Sequence, residues 1–298
     1  MINYTIIIPH KNIPHLLQKC LDSIPSRDDV QIIVIDDNSD ADIVDFENFP
    51  GLNDPYIEVV FGKNENGRQG AGYARNLGLE KAIGKWLIFA DADDFFMPCF
   101  NDVLNKYKDD ESDIIYFKIT SIDLETIQQT SIHKFINEHL EQIQKNGDWN
   151  FVYRYFPPWG KLIKRRLIKS NNISFSEVQW GNDVFFTVKS TCFAVSKKIS
   201  DDIIYCYTSN ESSLTKETSL KSLSVKFKEN YRAIVFLKRR GNKQNSTSHL
   251  CNLWLRISKV SILNSILLIP KMVYAGRGRF VASNIIKSDV YSKKIIFN

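Results

Sequence analysis

An apolar run that ends abruptly in three carboxylates is the feature of this sequence that most constrains its fold. Residues 86–90 have the sequence WLIFA, and Asp91, Asp93 and Asp94 follow within four positions. A short apolar run between a glycine and a polar cluster is typical of a central strand in a parallel sheet. We therefore expect these acids at the C-terminal end of a buried strand, where sheets of this class bind ligands.

The same acids indicate a divalent cation. In extended backbone, side chains at positions i and i+2 point to the same side, so Asp91 and Asp93 converge on one ion, or on an ion and a ribose. Carboxylate oxygens favour Mg²⁺ or Mn²⁺ over zinc or copper. The alternative is a solvated strand end, with Asp93 or Asp94 as the N-cap of a helix over residues 95–107.

Strand and helix patterns alternate along the first part of the chain. β-branched and apolar runs predict strands at residues 4–8, 30–35, 56–61 and 86–90. Helical spacing of apolar side chains predicts helices at 13–24, 42–49 and 71–83, the last ended by Gly84 as a C′ residue. This order predicts a mainly parallel sheet with helices on both faces. The polar clusters 9–12, 36–39 and 91–94 should then meet at one edge, as in a nucleotide site.

The alternation weakens after a strand at residues 113–118. The patterns that follow predict a helical insertion around 135–143, a turn and strand at 157–163, a helix from 184 and a strand at 203–207. Only helical patterns occur beyond residue 215. We therefore divide the chain into an α/β domain over residues 1–215 and a basic, mainly helical region over residues 216–298.

Cysteine usage and the N-terminal segment indicate a reducing compartment. The five cysteines are scattered and show neither a CxxC pair nor Cys/His ligand spacing, so they suggest no disulfide framework and no zinc site. The apolar run at residues 4–8 is too short for the core of a signal peptide. We expect a cytoplasmic protein, peripheral on the cytoplasmic face of the membrane if its basic region binds lipid.

Charge is distributed unevenly. Residues 216–298 carry 17 Lys and Arg against three acids, a net charge of +14, so the whole-chain value of +5 leaves −9 for residues 1–215. A basic region of this kind usually meets nucleic acid or anionic lipid. One interpretation is a helix with Trp254 and aliphatic side chains at an anionic membrane surface, beside Arg256, Lys259 and Lys271. The other is a helix packed on a core with its charges solvated.

Five short motifs follow one another along the first 215 residues. They are YTIIIP at 4–9 with Asn12, IVIDDNS at 33–39, GYARNLG at 72–78, FADADD at 89–94, and WGKL at 159–162 followed by GND at 181–183. In order and approximate spacing they resemble the inverting GT-A glycosyltransferases of family 2. The resemblance implies a GT-A fold, which is a nucleotide-binding, mainly parallel sheet flanked by helices. It also implies a nucleotide-sugar half at about 1–118 and an acceptor half at about 119–215. The region beyond residue 215 matches none of these motifs, and its helical patterns predict a C-terminal helical extension to that fold.

The resemblance implies a role for each matching residue. Asp37 matches the aspartate that hydrogen-bonds the nucleotide base, and Arg75 matches the arginine that approaches the same nucleotide. Asp93 matches the metal-binding aspartate, and Asp91 the one nearer the ribose or sugar, so both are metal candidates. Asp183 matches the aspartate that acts as general base toward the acceptor hydroxyl.

Pro9 and Lys161 complete the nucleotide-sugar-binding set that the resemblance implies. The implied cofactor is Mn²⁺ or Mg²⁺, which neutralises the leaving diphosphate as a Lewis acid. The implied reaction moves one hexosyl or N-acetylhexosaminyl group from a nucleotide-diphosphate sugar, typically a UDP-sugar, to an acceptor hydroxyl. The acceptor is a saccharide or lipid-linked saccharide, in surface-polysaccharide or glycolipid synthesis. The QxxRW motif of processive synthases is missing from the sequence, which favours single-sugar transfer.

Two other functions compete with this interpretation. One is a non-catalytic, carbohydrate-recognising or scaffold member of the same fold, and the retained Asp91, Asp93 and Asp183 speak against it. The other is nucleic-acid binding. The basic region alone suggests this function, because no recognised nucleic-acid module accompanies the basic region.

Each site residue also has a purely structural alternative. Asp36 and Asp37 can cap the following helix, Arg75 can form a surface salt bridge, and Asp183 can be the N-cap of the helix after it.

The sequence also departs from the family pattern at three positions. His10 replaces a small apolar residue, Lys11 replaces an aromatic one, and Asn182 replaces the usual acid before the base aspartate. Glu177 is a possible substitute for the lost carboxylate.

Overall fold

The computed structural model describes residues 1–62, 70–153, 157–209, 217–241, 248–278 and 280–281. The chain forms two compact units, Met1–Ser213 and Leu214–Asn298. In these described ranges, no helix is long and apolar enough to cross a membrane.

The first unit is built on one mixed sheet. Its strands are β1 Tyr4–His10, β2 Val30–Asp36, β3 Ile57–Phe61, β4 Trp86–Phe89, β5 Phe95–Phe96, β6 Ile114–Asp123, β7 Lys161–Lys164 and β8 Lys197–Ser209. Their order across the sheet is β3-β2-β1-β4-β7-β6-β8-β5. The four strands from β3 to β4 are parallel, whereas β7 is antiparallel to both of its neighbours and β5 is antiparallel to β8. The parallel half is the part that the β-α alternation predicted.

Helices flank this sheet. They are α1 Pro14–Asp22, α2 Ala71–Lys81, α3 Phe100–Tyr107, α4 Ile132–Asn146, α5 Arg165–Ser170 and α6 Val184–Phe193, with a 3₁₀ helix at Trp149–Tyr153. β1 and β4 are buried along their whole length, as expected of apolar strands that are covered on both faces. The core of this unit lies along these strands, so the segments that follow their carboxyl ends are held on a rigid base.

Three local predictions are wrong. Residues 42–49 form turns rather than a helix, although Val44 and Phe49 are buried. The segment at 95–107 begins as a strand, because Phe95 and Phe96 pair with β8. Gly84 is not a C′ residue: α2 ends at Lys81, and a Cβ at Gly84 would lie 2.6 Å from the backbone nitrogen of Thr5. The glycine therefore permits close approach to β1.

The second unit is helical. It contains α7 Leu220–Arg239, α8 Ser248–Val260, α9 Ile262–Leu267 and α10 Ile269–Tyr274. α7, α8 and α10 share a separate core that includes Phe227, Leu253, Trp254 and Met272. Trp254 is 4% exposed, and its Nε1 donates to the carbonyl of Ser265 at 3.0 Å. The expectation that Trp254 faces lipid is therefore wrong, because the apolar face of α8 packs into the core of this unit.

Candidate active site

The three polar clusters meet at one edge of the sheet because β1 lies between β2 and β4. His10 at the end of β1 pairs in register with Asp36 at the end of β2. The amide of Asp37 donates to the carbonyl of His10 at 2.8 Å, and the amide of Ala90 donates to that of Ile7 at 3.2 Å. Residues 9–12, 36–39 and 91–94 therefore start from neighbouring strand ends, as the sequence predicted.

The pair formed by His10 and Asp36 is structural. His10 Nδ1 lies 2.8 Å from Asp36 Oδ1, and His10 Nε2 accepts from the amide of Ile13 at 3.1 Å. Nε2 is thus unprotonated, and Nδ1 carries the proton that is donated to Asp36. Burial acts to raise the pKa of Asp36, but the bonds from His10 and Ser39 hold that pKa below its ordinary value. This pair ties β1 to β2 and to the start of α1, which accounts for the histidine at this position.

Asp37 reaches from β2 to the start of α2. Both of its carboxylate oxygens accept from the amide of Gly70, at 2.8 and 2.7 Å. Burial raises the pKa of Asp37, partly offset by the Gly70 amide and by Lys11. Lys11, which stands in place of the family's aromatic residue, donates from Nζ to the carbonyl of Asp37 at 3.1 Å. The helix-cap alternative is wrong for both Asp36 and Asp37, because turns rather than a helix follow them.

The acids of residues 91–94 lie in a turn that β8 holds in place. The amide of Asp94 donates to the carbonyl of Asp91 at 3.1 Å, so this segment is not the extended backbone that the sequence suggested. Asp94 is buried, and its carboxylate accepts from Tyr205 Oη and from the amide of Thr208, each at 2.7 Å. Tyr205 Oη also accepts from the amide of Asp91 at 2.9 Å. Asp94 therefore anchors the turn, and neither it nor Asp93 caps α3, which begins at Phe100.

We expect Tyr205→Phe to lower the free energy of unfolding by about 1–3 kcal/mol, because it leaves the buried Asp94 carboxylate and the Asp91 amide short of a partner. Urea unfolding followed by circular dichroism measures this change. Tyr56→Phe is the matched control, since Tyr56 is exposed and should shift stability by less than about 0.5 kcal/mol. Equal stability of the two variants would contradict the anchoring role.

Asp91 and Asp93 are the acids of this turn that remain for a cation. Burial is the largest cause and repulsion from Asp91 the second largest cause that raises the pKa of Asp93 to about 6. The charge of Arg75 acts to lower that pKa. A divalent cation would remove this repulsion, and carboxylate oxygens are the donors that Mg²⁺ and Mn²⁺ prefer. The described part of the chain holds no group of three His, Cys, Asp or Glu side chains suited to a metal. Such a cation would therefore complete its shell with diphosphate and water.

Arg75 joins the two sides of the site. It is buried rather than on the surface: Nη2 donates to Asp91 Oδ1 at 2.5 Å, and Nη1 donates to Asn182 Oδ1 at 2.8 Å. Its guanidinium carbon lies 5.4 Å from the centroid of the Phe175 ring. Within the described residues, its buried Nε has no hydrogen-bond partner. The surface salt-bridge alternative is therefore wrong, and the unsatisfied Nε–H is a donor that a bound anion can use.

The helix that carries Arg75 is fixed to the segment at 175–182. A Cβ at Gly72 would lie 2.1 Å from the carbonyl oxygen of Ser176, so only glycine permits this approach. Asn76 Oδ1 accepts from the amide of Phe175 at 2.8 Å, and Asn76 Nδ2 donates to the carbonyl of the same residue at 3.1 Å. The motif GYARNLG thus places Arg75 against the segment that leads to Asp183.

Asp183 precedes α6 without capping it. Its carboxylate makes no capping hydrogen bond with the helix, so the purely structural cap is wrong. Burial raises the pKa of Asp183, Arg75 and Lys161 act to lower it, and Asp91 acts to raise it. These charges therefore lie within electrostatic reach of one another. Glu177, the possible substitute, is exposed and accepts from Asn76 Nδ2 at 3.2 Å.

Lys161 is a buried residue whose amine lies within electrostatic reach of Asp183. It is 2% exposed, and Nζ donates to the carbonyl of Pro157 at 2.7 Å. Burial lowers the pKa of Lys161 to about 7, and the charge of Asp183 acts to raise it. Pro9 is buried inside β1 opposite Ile35, which makes it part of the floor of this edge.

Tyr205 and Thr208 also belong to the site, although no motif in the sequence singles them out. Tyr205 stacks on Trp159 of the WGKL motif, with 5.3 Å between ring centroids. Thr208 Oγ1 donates to the carbonyl of Asp93 at 2.6 Å. Both residues lie more than a hundred positions from the acids that they hold. The apolar run at 203–207 predicted a strand that contains Tyr205, and Thr208 follows that run directly.

The family described as Glycosyl transferase family 2 matches residues 5–171, which is more than half of the chain. A cholesterol galactosyltransferase of Borreliella burgdorferi is 30% identical, over 60% of this chain and 51% of that protein. A poly(ribitol-phosphate) beta-glucosyltransferase of Bacillus spizizenii is 28% identical, over 68% of this chain and 32% of that protein. This chain thus matches only about a third to a half of the length of these two relatives.

Solved structures show the same fold. S. aureus TarS 1–349, crystallised in complex with UDP-GlcNAc, superposes with a TM-score of 0.63 at 20% identity, covering 92% of this chain and 79% of that one. This match confirms the GT-A fold that the motifs predicted. The family match agrees with the polar edge of the sheet and with the acids of residues 91–94. The chain therefore belongs to glycosyl transferase family 2.

Proposed function

We propose that this protein is a metal-dependent, inverting glycosyltransferase that moves one sugar from a UDP-sugar to an acceptor hydroxyl. The observation that carries the proposal is the buried Arg75, which donates to Asp91 on one side and to Asn182, next to Asp183, on the other. A single guanidinium thereby links the carboxylate pair suited to a cation with the carboxylate suited to a base. Transfer between a donor and an acceptor needs both groups at one place.

The donor half consists of Asp37, Arg75, Asp91 and Asp93. The Asp37 carboxylate accepts hydrogen bonds at the carboxyl edge of the sheet, where a uracil N–H can replace its Gly70 partner. The unsatisfied Nε–H of Arg75 suits a diphosphate oxygen. Asp93 and Asp91 would hold Mn²⁺ or Mg²⁺, which would neutralise the departing diphosphate as a Lewis acid. The TarS structure in complex with UDP-GlcNAc supports a uridine nucleotide.

Asp183 is the general base of the proposed reaction. Its carboxylate takes the proton of the acceptor hydroxyl as that oxygen attacks the anomeric carbon from the face opposite the diphosphate. The new bond to the acceptor forms as the bond to the diphosphate oxygen breaks, so the configuration of the anomeric carbon inverts. A pKa raised by burial makes Asp183 a better proton acceptor than an exposed aspartate, while Arg75 and Lys161 act to lower that pKa.

The acceptor in this proposal is a hydroxyl of a saccharide or lipid-linked saccharide, used in surface-polysaccharide or glycolipid synthesis. The names of two relatives, a poly(ribitol-phosphate) beta-glucosyltransferase and a cholesterol galactosyltransferase, support a hydroxyl-bearing polymer or lipid as the acceptor more generally. Synthesis in the cytoplasm, where nucleotide sugars are supplied, is part of the same proposal.

We expect donor affinity to fall as pH drops through about 6. Asp93 must be ionised to hold the cation, and its pKa is raised to about 6, so protons compete with the metal below that pH. Profiles of kcat/KM for the donor at low and high Mn²⁺ measure this competition. The acid limb should move to lower pH as Mn²⁺ increases. A limb that stays fixed at every Mn²⁺ concentration would contradict a role for Asp93 as a metal ligand.

A panel of nucleotide sugars tests the proposed function. Purified protein is incubated with UDP-glucose, UDP-galactose, UDP-GlcNAc, UDP-GalNAc and GDP-mannose in Mn²⁺ or EDTA, and released nucleotide is measured. We expect release from one or more UDP-sugars, abolished by EDTA. Release from GDP-mannose alone would contradict the uridine donor, and equal release in EDTA would contradict the metal. Binding of the UDP-sugars with no release in the presence of simple glycoside acceptors would favour a non-catalytic member of the family.

A further inference from the structure

The short helix α9 exposes an apolar surface. Ile262, Leu263, Ile266 and Leu267 are 71%, 69%, 52% and 67% exposed. These four side chains, which we call the α9 ridge, make up most of a six-residue helix whose buried residue is Ser265. A helix on the surface of a water-soluble protein normally turns its aliphatic side chains toward the core. The ridge instead exposes its aliphatic side chains to solvent, and exposed apolar patches of this kind mark interaction surfaces.

Contacts on its inner side hold α9 in this orientation. Trp254 Nε1 donates to the carbonyl of Ser265 at 3.0 Å, in a buried position. Ser261 caps the helix by accepting from the amide of Asn264, and the residues after the helix, Leu268 and Ile269, pack against the core of the second unit. Because α9 is attached through Ser265, the ridge cannot turn inward without breaking these contacts.

The segment around the ridge carries cations and no acids. Residues 248–281 contain five Lys and Arg and neither Asp nor Glu. Three of these cations, Arg256, Lys259 and Lys271, are exposed. Val260, the last residue of α8, and Val273 in α10 are also more than half exposed. Exposed aliphatic side chains in a segment that carries cations and no acids are complementary to the headgroup region of an anionic membrane.

We propose that the α9 ridge inserts into the headgroup region of an anionic membrane while Arg256, Lys259 and Lys271 contact acidic lipid. Six helical residues extend about 9 Å, far less than the roughly 30 Å of a hydrocarbon core, so the helix lies in the interface and does not span it. A second copy of the chain is a poorer occupant. Self-association through the ridge would bring the same cations together, with no acid in this segment to offset their repulsion.

Co-sedimentation of the full chain with vesicles tests the proposal. Vesicles of phosphatidylcholine alone are compared with phosphatidylcholine mixed with phosphatidylglycerol, at low and high salt. We expect the protein to pellet with the mixed vesicles at low salt. Leu263→Ser with Leu267→Ser should lower its partition coefficient at least about tenfold. Lys259→Gln with Lys271→Gln should lower it by up to about fivefold per charge and flatten the salt dependence.

Ile83→Ser with Val195→Ser is the matched control, because these exposed aliphatic side chains lie in the first unit. This pair should leave vesicle binding unchanged, and circular dichroism should show that every variant is folded. The proposal is overturned if the wild type stays in the supernatant with mixed vesicles at low salt, or if the control loses binding equally. It is also overturned if light scattering shows a dimer that Leu263→Ser with Leu267→Ser converts to monomer. Since no sugar donor is present, these outcomes are independent of the proposed catalysis.

Discussion

Asp183→Asn should lower the rate of sugar transfer by about 100-fold or more, which is the scale of losing a general base. Asn has nearly the same shape but cannot take the proton of the acceptor hydroxyl. Because the Asp183 carboxylate does not cap α6, the substitution should leave the fold intact. The loss should appear in kcat at saturating donor and acceptor. Calorimetric titration with the UDP-sugar in Mn²⁺ should give an affinity close to that of the wild type.

Glu177→Gln is the matched control for this experiment. It also converts a carboxylate to an amide in the acceptor-side segment, but Glu177 is exposed and accepts from Asn76. We expect its transfer rate to stay within a few-fold of the wild type. If Asp183→Asn transfers sugar normally while Glu177→Gln does not, the base is Glu177, and the family's base position has changed its role in this chain.

Asp93→Asn should abolish the dependence of donor binding on Mn²⁺. Residues that only support a metal ligand already contribute about 10-fold to 100-fold to metal affinity, so a direct ligand should contribute at least about 100-fold. Without the cation, the diphosphate would also lie beside Asp91, and like charges would repel. Calorimetry with UDP in Mn²⁺ and in EDTA measures both effects. The wild type should bind tightly only with Mn²⁺, and the variant should bind weakly under both conditions.

Asp102→Asn removes the same charge from an exposed position on α3. It should behave as the wild type in both buffers, which separates loss of a ligand from a general change in charge. Wild-type protein that binds UDP equally well in EDTA would contradict the metal assignment, whatever the variants do.

The parallel half of the fold could be predicted because its signals are local. The strands β1, β2 and β4 are continuous apolar runs that end in polar clusters, and adjacent parallel strands bring those ends together. Residues 42–49 form turns where a helix was predicted, because the apolar spacing that buries Val44 and Phe49 in turns also fits a helix. Periodicity records which side chains are buried, and over so short a segment it does not fix the backbone conformation.

The contacts that complete the site were beyond a local analysis. Tyr205 donates to Asp94 across a separation of 111 residues, and Arg75 donates to Asn182 across 107. From the sequence, Asn182 was interpreted as the loss of a family carboxylate. In the structure its side-chain oxygen accepts a hydrogen bond from Arg75. In the second unit, the apolar stripe of α8 predicts that one face of this helix is buried, but it does not predict which helices cover that face. The apolar face of α8 packs with residues of α7 and α10, and α9 is attached to α8 through Ser265 with four aliphatic side chains left exposed.

Anomalous diffraction at the manganese absorption edge, from crystals grown with UDP and Mn²⁺, would locate the cation and the nucleotide in one experiment. We expect a manganese peak in contact with the Asp93 carboxylate and the diphosphate, with the uracil against Asp37 and a diphosphate oxygen beside Arg75. A nucleotide bound away from this edge of the sheet, or a manganese peak remote from residues 91–94, would contradict it.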